Sequence, residues 1–425
     1  MSIFETLESG VRSYCRSWPV TFDRASGCHL WDTDGRDYLD FFAGAGALNY
    51  GHNNPELKKP LLEYLTADRV VHSLDMQTVA KESFLERFQE VILQPRGLDY
   101  KVQFPGPTGT NAVEAALKLA RKVTGRESII SFTNAFHGMT LGSLSVTGNS
   151  MKRGGAGIPL VHATPMPYDN YLDGTTPDFM WFERLLQDSG SGLNDPAAVI
   201  VETVQGEGGI NVARLEWLKG LAELCQRHEL LLIVDDVQMG CGRTGPFFSF
   251  EAAGIVPDIV CMAKSISGYG LPMALTLFSP ELDVWEPGEH NGTFRGQNPS
   301  FVTATAALNF WTDNRLEKAV LRKGEQVERA LAEVVDPIDG VQTRGRGLIR
   351  GVAFERPELA EAVCREAFDR GLLLETSGPE GEVVKLMPPL VIDDDELARG
   401  LTIAAESIEA VAGRGLATTG AGVGR

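Results

Sequence analysis

Four runs along the chain hold apolar residues without regular polar alternation: AAVIVE at 197–202, LLLIVD at 230–235, DIVCMA at 258–263 and ALTLF at 274–278. A strand that is apolar on both sides of its pleat is covered on both faces, as in a sheet flanked by helices. Helical periodicity predicts helices over 111–123 and 215–228, and short strands are read at 102–104 and 128–132. Strands alternating with helices predict an α/β fold built on a mostly parallel sheet. Upstream, CHLWDTDGRDYLDFF at 28–42 reads as a hairpin turning at Asp34-Gly35. Downstream of a helix over 303–313, the pattern becomes α+β, with a strand at 347–354 and a helix at 358–370. Pro357 marks that helix's start and Gly371 its end.

At 425 residues the chain exceeds what one ordinary core organises. The expected division is a large domain over 61–310 and a small α+β domain assembled from 1–60 and 311–412. The Gly/Ala/Thr-rich stretch 413–425 reads as a disordered tail.

Charge and cysteine usage narrow the partners. A net charge of -18 repels nucleic acid and anionic membrane, so neither is expected to bind. The same charge suits a salty cytoplasm as well as an ordinary one. The six cysteines are scattered, with no C-x-x-C pair and no Cys/His cluster. They read as reduced thiols of a cytoplasmic protein, with no metal site. Glu5 and Glu8 interrupt the first ten residues, which form no signal peptide, and no run approaches the roughly 18 apolar residues of a membrane span.

Three polar residues end the apolar runs: Glu202, Asp235 and Lys264. Functional groups gather beyond the carboxyl ends of strands in open α/β sheets. A structural ion pair is the ordinary alternative for such residues. Context weighs against it, because Lys264 is followed by the small-residue loop Ser265-Ile266-Ser267-Gly268-Tyr269-Gly270. A lysine amine held against apolar surroundings has a depressed pKa and attacks aldehydes. Pyridoxal phosphate chemistry needs such a lysine and a carboxylate on the pyridine nitrogen. Lys264 and Asp235 suit those two roles, while pleat alternation points Asp236 elsewhere.

The cofactor's phosphate needs a cradle, and Gly109-Thr110-Asn111 opens a helix whose first N–H groups bind anions. Plain capping is equally compatible, with Thr110 or Asn111 as N-cap and Glu114 closing a capping box on Asn111. In Phe136-His137-Gly138, the aromatic suits stacking on a cofactor ring. One histidine beside a glycine carries little weight alone, and His52 lies in a turn-rich loop. Gly240-Cys241-Gly242-Arg243-Thr244-Gly245 fits G-x-G-x-x-G, yet four residues separate it from the strand and Pro246-Phe247-Phe248 follows instead of a helix. A dinucleotide site requires that strand–turn–helix context, so this reading is rejected.

Taken together and in order, these segments resemble the class III, ω-type aminotransferases of PLP fold type I. The resemblance is carried by Thr108-Gly109-Thr110, Phe136-His137-Gly138, Glu202-Thr203-Val204-Gln205-Gly206-Glu207-Gly208-Gly209, Asp235-Asp236-Val237-Gln238 with Gly242-Arg243-Thr244-Gly245, Lys264, and Gly292-Thr293-Phe294. It implies a seven-stranded sheet, pyridoxal 5'-phosphate as cofactor and small amino acids and oxo acids as substrates. It also implies a homo-oligomer, a dimer or higher, with composite active sites. Carried over, Thr108, Gly109 and Thr110 hold the phosphate, and Thr293 reaches that of the neighbouring subunit. Phe136 and Val237 flank the ring, with His137 beside them. Asp235 meets the ring nitrogen, Gln238 the ring hydroxyl, and Lys264 carries the cofactor. Glu207 gates the substrate site and Lys385 meets a substrate carboxylate.

Two departures bear on substrate. Met139 stands where ornithine-type members have arginine and Lys385 where many members of the family do, and lysine is a point charge where arginine grips a carboxylate with two parallel bonds. The segments Arg12-Ser13-Tyr14-Cys15-Arg16-Ser17-Trp18-Pro19, Phe41-Phe42-Ala43-Gly44-Ala45-Gly46, Leu48-Asn49-Tyr50-Gly51-His52-Asn53-Asn54-Pro55 and Phe136-His137-Gly138-Met139-Thr140 are similar to the diaminobutyrate–2-oxoglutarate aminotransferases of ectoine synthesis. That likeness implies amino transfer from L-glutamate to L-aspartate 4-semialdehyde. Synthesis of diaminobutyrate for a siderophore or polyamine route, or a 4-aminobutyrate or ornithine ω-aminotransferase, is the competing reading.

Overall fold

The structure, a computed structural model, describes residues 2–172 and 179–419, with side chains described as far as residue 412. The apolar runs pair edge to edge in one seven-stranded sheet. Its order is Lys101–Gln103, Leu275–Phe278, Ile259–Met262, Leu231–Asp235, Pro196–Val201, Ser128–Phe132 and Ala163–Met166. The strands run parallel except Leu275–Phe278, which is antiparallel to both neighbours. All six residues of Pro196–Val201 and all four of Ile259–Met262 are buried, as continuous apolar runs require.

Helix Gly109–Thr124 shows how the layers join. Ala112, Val113, Ala116, Leu117, Leu119 and Ala120 are buried, and its alanines let the backbone approach the sheet closely. Fully burying Leu117 and Leu119 contributes about 1.5–3 kcal/mol each. Arg121 and Lys122 sit in its last turn, and Gly125, with φ 67°, ends it in the left-handed conformation.

The N-terminal hairpin and the last third meet through backbone pairing. Strand Asp37–Asp40 pairs antiparallel with His29–Asp32 and parallel with Leu372–Leu373. A second antiparallel sheet has the order Val341–Arg346, Ile349–Phe354, Val383–Leu386, Glu375–Ser377. Fully buried Arg243 ties both regions to the large sheet, donating to Leu348 O at 3.0 Å, to Pro388 O at 2.6 Å and to Asn49 Oδ1.

Some boundaries moved. The helix expected over 303–313 starts earlier, as Asn298–Ala307, and tightens into a 3₁₀ turn at Leu308–Trp311. Pro299 in its first turn has the φ a helix start needs. The helix is buried nearly all round, so no amphipathic stripe marked where it begins. Helix Asp394–Thr419 continues past Gly413, where the sequence suggested a tail, and 420–425 lie outside the described residues. No helix among the described residues is long and apolar enough to cross a membrane.

Candidate active site

A cavity of about 450 Å³ opens beyond the carboxyl ends of the central strands, where open α/β sheets gather their ligands. Asp235 closes strand Leu231–Asp235, Glu202 follows Pro196–Val201, and Lys264 lies two residues past Ile259–Met262. All three line the cavity, as do Thr108, Gly109, Thr110, Phe136, His137, Glu207, Val237 and Gln238. Met139 borders it too, half exposed. Thr293 and Lys385 are not on its wall: Thr293 is exposed in a loop where its carbonyl meets His72 Nε2 at 2.9 Å, and Lys385 is fully buried behind Glu207.

Lys264 has φ 51°, a left-handed conformation that long side chains rarely adopt and that marks strain held by its surroundings. Burial lowers its pKa from the ordinary lysine value. The Glu207 carboxylate opposes that shift, and the Lys385 ammonium adds to it. Among the described residues its side chain makes no hydrogen bond or ion pair, so the amine is available for chemistry.

Asp235 is held from two sides. Its Oδ1 accepts the Val237 N–H at 3.1 Å, and its Oδ2 lies 2.7 Å from His137 Nδ1. Burial works against a charged histidine there, but the hydrogen bond and charge of Asp235 outweigh it and raise the His137 pKa. Nδ1 therefore donates, and the buried Nε2 has no partner. Glu202 completes the group: it accepts the Phe136 N–H at 3.0 Å, and burial pushes its carboxyl up to about 8. Asp236 faces away, fully buried, accepting the Ser249 N–H at 3.1 Å.

The helix start differs from expectation. Thr108, extended at φ -127° and ψ 159°, is the N-cap, and its N–H donates to Asn111 Oδ1 at 3.2 Å. Neither Thr110 nor Asn111 caps the helix, and Glu114 accepts from the Ser143 N–H at 3.0 Å and from the Thr140 hydroxyl. As the first helical residues, Gly109 and Thr110 have N–H groups without intrahelical acceptors beside the cavity. Thr110 Oγ1 pairs with Ser143 Oγ at 2.7 Å. A Cβ on Gly109 would lie 2.8 Å from Val237 Cγ1, so glycine is needed for this close approach.

At the other end, Glu207 Oε1 lies 2.6 Å from Lys385 Nζ and accepts from Gln238 Nε2 at 3.0 Å. Gln238 Nε2 also donates to Ala45 O at 2.9 Å. Burial opposes ionisation of Glu207, yet the Lys385 and Lys264 charges hold it down at about 2. Outside the cavity, Lys152 Nζ lies 4.3 Å over the Phe136 ring. His52 Nε2 bonds Asp40 Oδ2 at 2.7 Å in its turn and does not line the cavity. The rejected glycine motif is a turn: Gly245 N–H bonds Gly242 O at 3.0 Å, and residues 246–250 directly after it are not helical.

Sequence reasoning gave His137 little weight and passed over Glu375, which lies 2.8 Å from Lys385. Both acquire their partners only through tertiary pairing.

The family model described as aminotransferase class-III matches residues 13–408. The chain is 68% identical over 413 residues to a diaminobutyrate–2-oxoglutarate transaminase of Streptomyces anulatus, covering 97% of this chain and 98% of that one. It is 58% identical over 414 residues to the protein of the same name from Virgibacillus pantothenticus, covering 97% and 99%. Among solved structures, the ornithine aminotransferase of Toxoplasma gondii matches with a TM-score of 0.84 at 28% identity, over 96% of this chain and 93% of that one. The acetylornithine aminotransferase of Elizabethkingia anophelis matches with a TM-score of 0.77 at 27% identity, over 95% and 97%. With its sheet, its cavity and a family match spanning nearly its whole length, the chain belongs to the class III aminotransferases.

Proposed function

We propose that this enzyme moves an amino group from L-glutamate to L-aspartate 4-semialdehyde, reversibly giving 2-oxoglutarate and L-2,4-diaminobutyrate, with pyridoxal 5'-phosphate held on Lys264. The name that the relatives share, at 58% to 68% identity over nearly full length, supports the substrate pair. The observation that carries the cofactor is the partnerless amine of Lys264 opening on one cavity with the doubly held Asp235.

The residues fit the cofactor. The first-turn N–H groups of Gly109 and Thr110 offer donors for a phosphate. Phe136 and Val237 are the apolar groups to flank a ring. When bound, the cofactor supplies an electron sink for the carbon that loses its proton. Asp235 would keep a proton on the ring nitrogen, and His137 orients that carboxylate. Lys264 Nζ, its pKa lowered by burial, takes the proton from the amine-bearing carbon of the substrate. Gln238 would meet the ring hydroxyl, and Glu207 would cover or uncover Lys385 according to which substrate is present.

The far end of the cavity supports the diamine. Diaminobutyrate reacts through its terminal amine and leaves an ammonium and a carboxylate at the far end. Beside the cofactor, Met139 removes a positive charge that would repel that ammonium. We place the enzyme in the cytoplasm as a homo-oligomer, a dimer or higher, with Thr293 completing a neighbour's phosphate site. We place its reaction at the entry to ectoine synthesis.

The test is glutamate formation from 2-oxoglutarate with each amino donor at equal concentration. Diaminobutyrate should be consumed much faster than ornithine, acetylornithine or 4-aminobutyrate. Preference for one of the latter would overturn the substrate pair and leave the family membership standing.

A further inference from the structure

Lys385 is fully buried and flanked by two carboxylates, where one would balance its charge. Glu207 Oε1 stands 2.6 Å from Nζ and Glu375 Oε1 2.8 Å. Glu207 accepts a hydrogen bond from Lys385 Nζ, and Glu375 holds the same ammonium as a short ion pair. Backbone register fixes this second pair, because Glu375 and Lys385 are opposed partners on antiparallel strands Glu375–Ser377 and Val383–Leu386. Cross-strand partners have their Cβ atoms close together, which keeps these two side chains neighbours.

Two carboxylates against the one Lys385 ammonium leave this buried cluster behind the cavity wall with an excess negative charge. Burial, and then repulsion from Glu207, push the Glu375 carboxyl up to about 7 despite Lys385. The charge also reaches the reacting amine, since Glu207 and Glu375 both favour the ammonium form of Lys264 while Lys385 disfavours it.

Resting on the diaminobutyrate reading above, we propose that Glu375 is a positioning residue for substrate choice. As the standing counter-ion of Lys385, it keeps that ammonium neutralised when Glu207 moves. That favours a donor carrying an ammonium there over one carrying only a carboxylate. Without Glu375, Lys385 and Glu207 neutralise each other. When Glu207 then swings away, a bare ammonium awaits the carboxylate of 4-aminobutyrate.

The experiment compares wild type, Glu375→Gln and Glu375→Asp at a pH above about 7, where Glu375 is ionised. It measures kcat/KM for diaminobutyrate and for 4-aminobutyrate, and the calorimetric affinity of the holoenzyme for glutarate, an unreactive dicarboxylate. Glu375→Gln should lower the diaminobutyrate-to-4-aminobutyrate ratio roughly tenfold, through KM more than kcat, and should bind glutarate more tightly. Glu375→Asp keeps the charge and should stay within about twofold of the wild-type ratio. Glu375→Met provides a second charge-free variant if the first does not fold. An unchanged ratio and unchanged glutarate affinity in a folded charge-free variant overturn the inference, as does an Asp variant that shifts as far as the Gln variant. The change between variants decides this inference whichever donor the wild type prefers, whereas the wild-type preference alone decides the substrate reading.

Discussion

His137 Nδ1 donates to Asp235 Oδ2 across 2.7 Å, with the histidine side chain fully buried and the aspartate nearly so. A buried carboxylate is costly unless paired, and this pair both neutralises and aims it. Replacing His137 with alanine leaves Asp235 with one fewer donor and a void beside it. By analogy with outer-shell partners of metal ligands, kcat should fall about 10–100-fold. Cofactor should also dissociate more readily, followed as loss of near-visible absorbance on dialysis. Near-normal turnover with unchanged cofactor retention would remove His137 from the site's support.

In the proposed mechanism Asp235 acts on charge at the ring nitrogen. Asp235→Asn keeps the shape and removes that charge, so kcat should drop roughly 10²-fold or more, with a smaller loss of cofactor affinity. Steady-state kinetics and cofactor titration of the same preparation separate the two effects.

The neighbouring Asp236 answers to pH through stability. Burial raises its carboxyl from 3.8 to about 7, Oδ2 accepts from Ser249, and Oδ1 has no partner. Between those two values the folded chain keeps a proton that the unfolded chain has released. Stability therefore falls as pH rises through that window, and the loss is complete above about 7. Asp236→Asn removes the charged form, so it should stabilise the protein by on the order of 1–4 kcal/mol above pH 7 and by little below pH 4. Denaturant titrations at the two pH extremes check the difference, and equal effects at both would contradict it.

Thr293 stands on an exposed loop away from the cavity of its own chain. If it serves a neighbour, mixing an inactive Lys264→Ala subunit with an inactive Thr293→Trp subunit should restore part of the activity in hybrids. Full activity in a strictly monomeric preparation would exclude composite sites.

The central sheet was legible because unbroken apolar runs such as 230–235 admit few other placements. The strand ends then pointed to Asp235, Glu202 and Lys264 without any knowledge of contacts. The helix cap misled, because the usual signature places an acid or amide at the third helical position as a donor-seeking partner. Here Asn111 fills that position itself, which makes Thr108 the cap and frees Glu114 for Thr140 and Ser143. Helix Arg315–Val335 was passed over although Leu316, Val320, Val327, Leu331 and Val335 repeat at helical spacing on its buried face. That signal was present. The His137–Asp235 pair joins residues 98 positions apart, and Glu375 meets Lys385 only through strand register, so no local pattern announces either.

The account turns on Lys264. Treating the purified protein with borohydride fixes a lysine-bound cofactor irreversibly, and peptide mass spectrometry then locates it. The prediction is a single cofactor adduct on the peptide containing Lys264, absent from Lys264→Ala, which should keep its fold and lose transamination. An adduct on a different lysine, or a Lys264→Ala variant that transaminates at the wild-type rate, would contradict it.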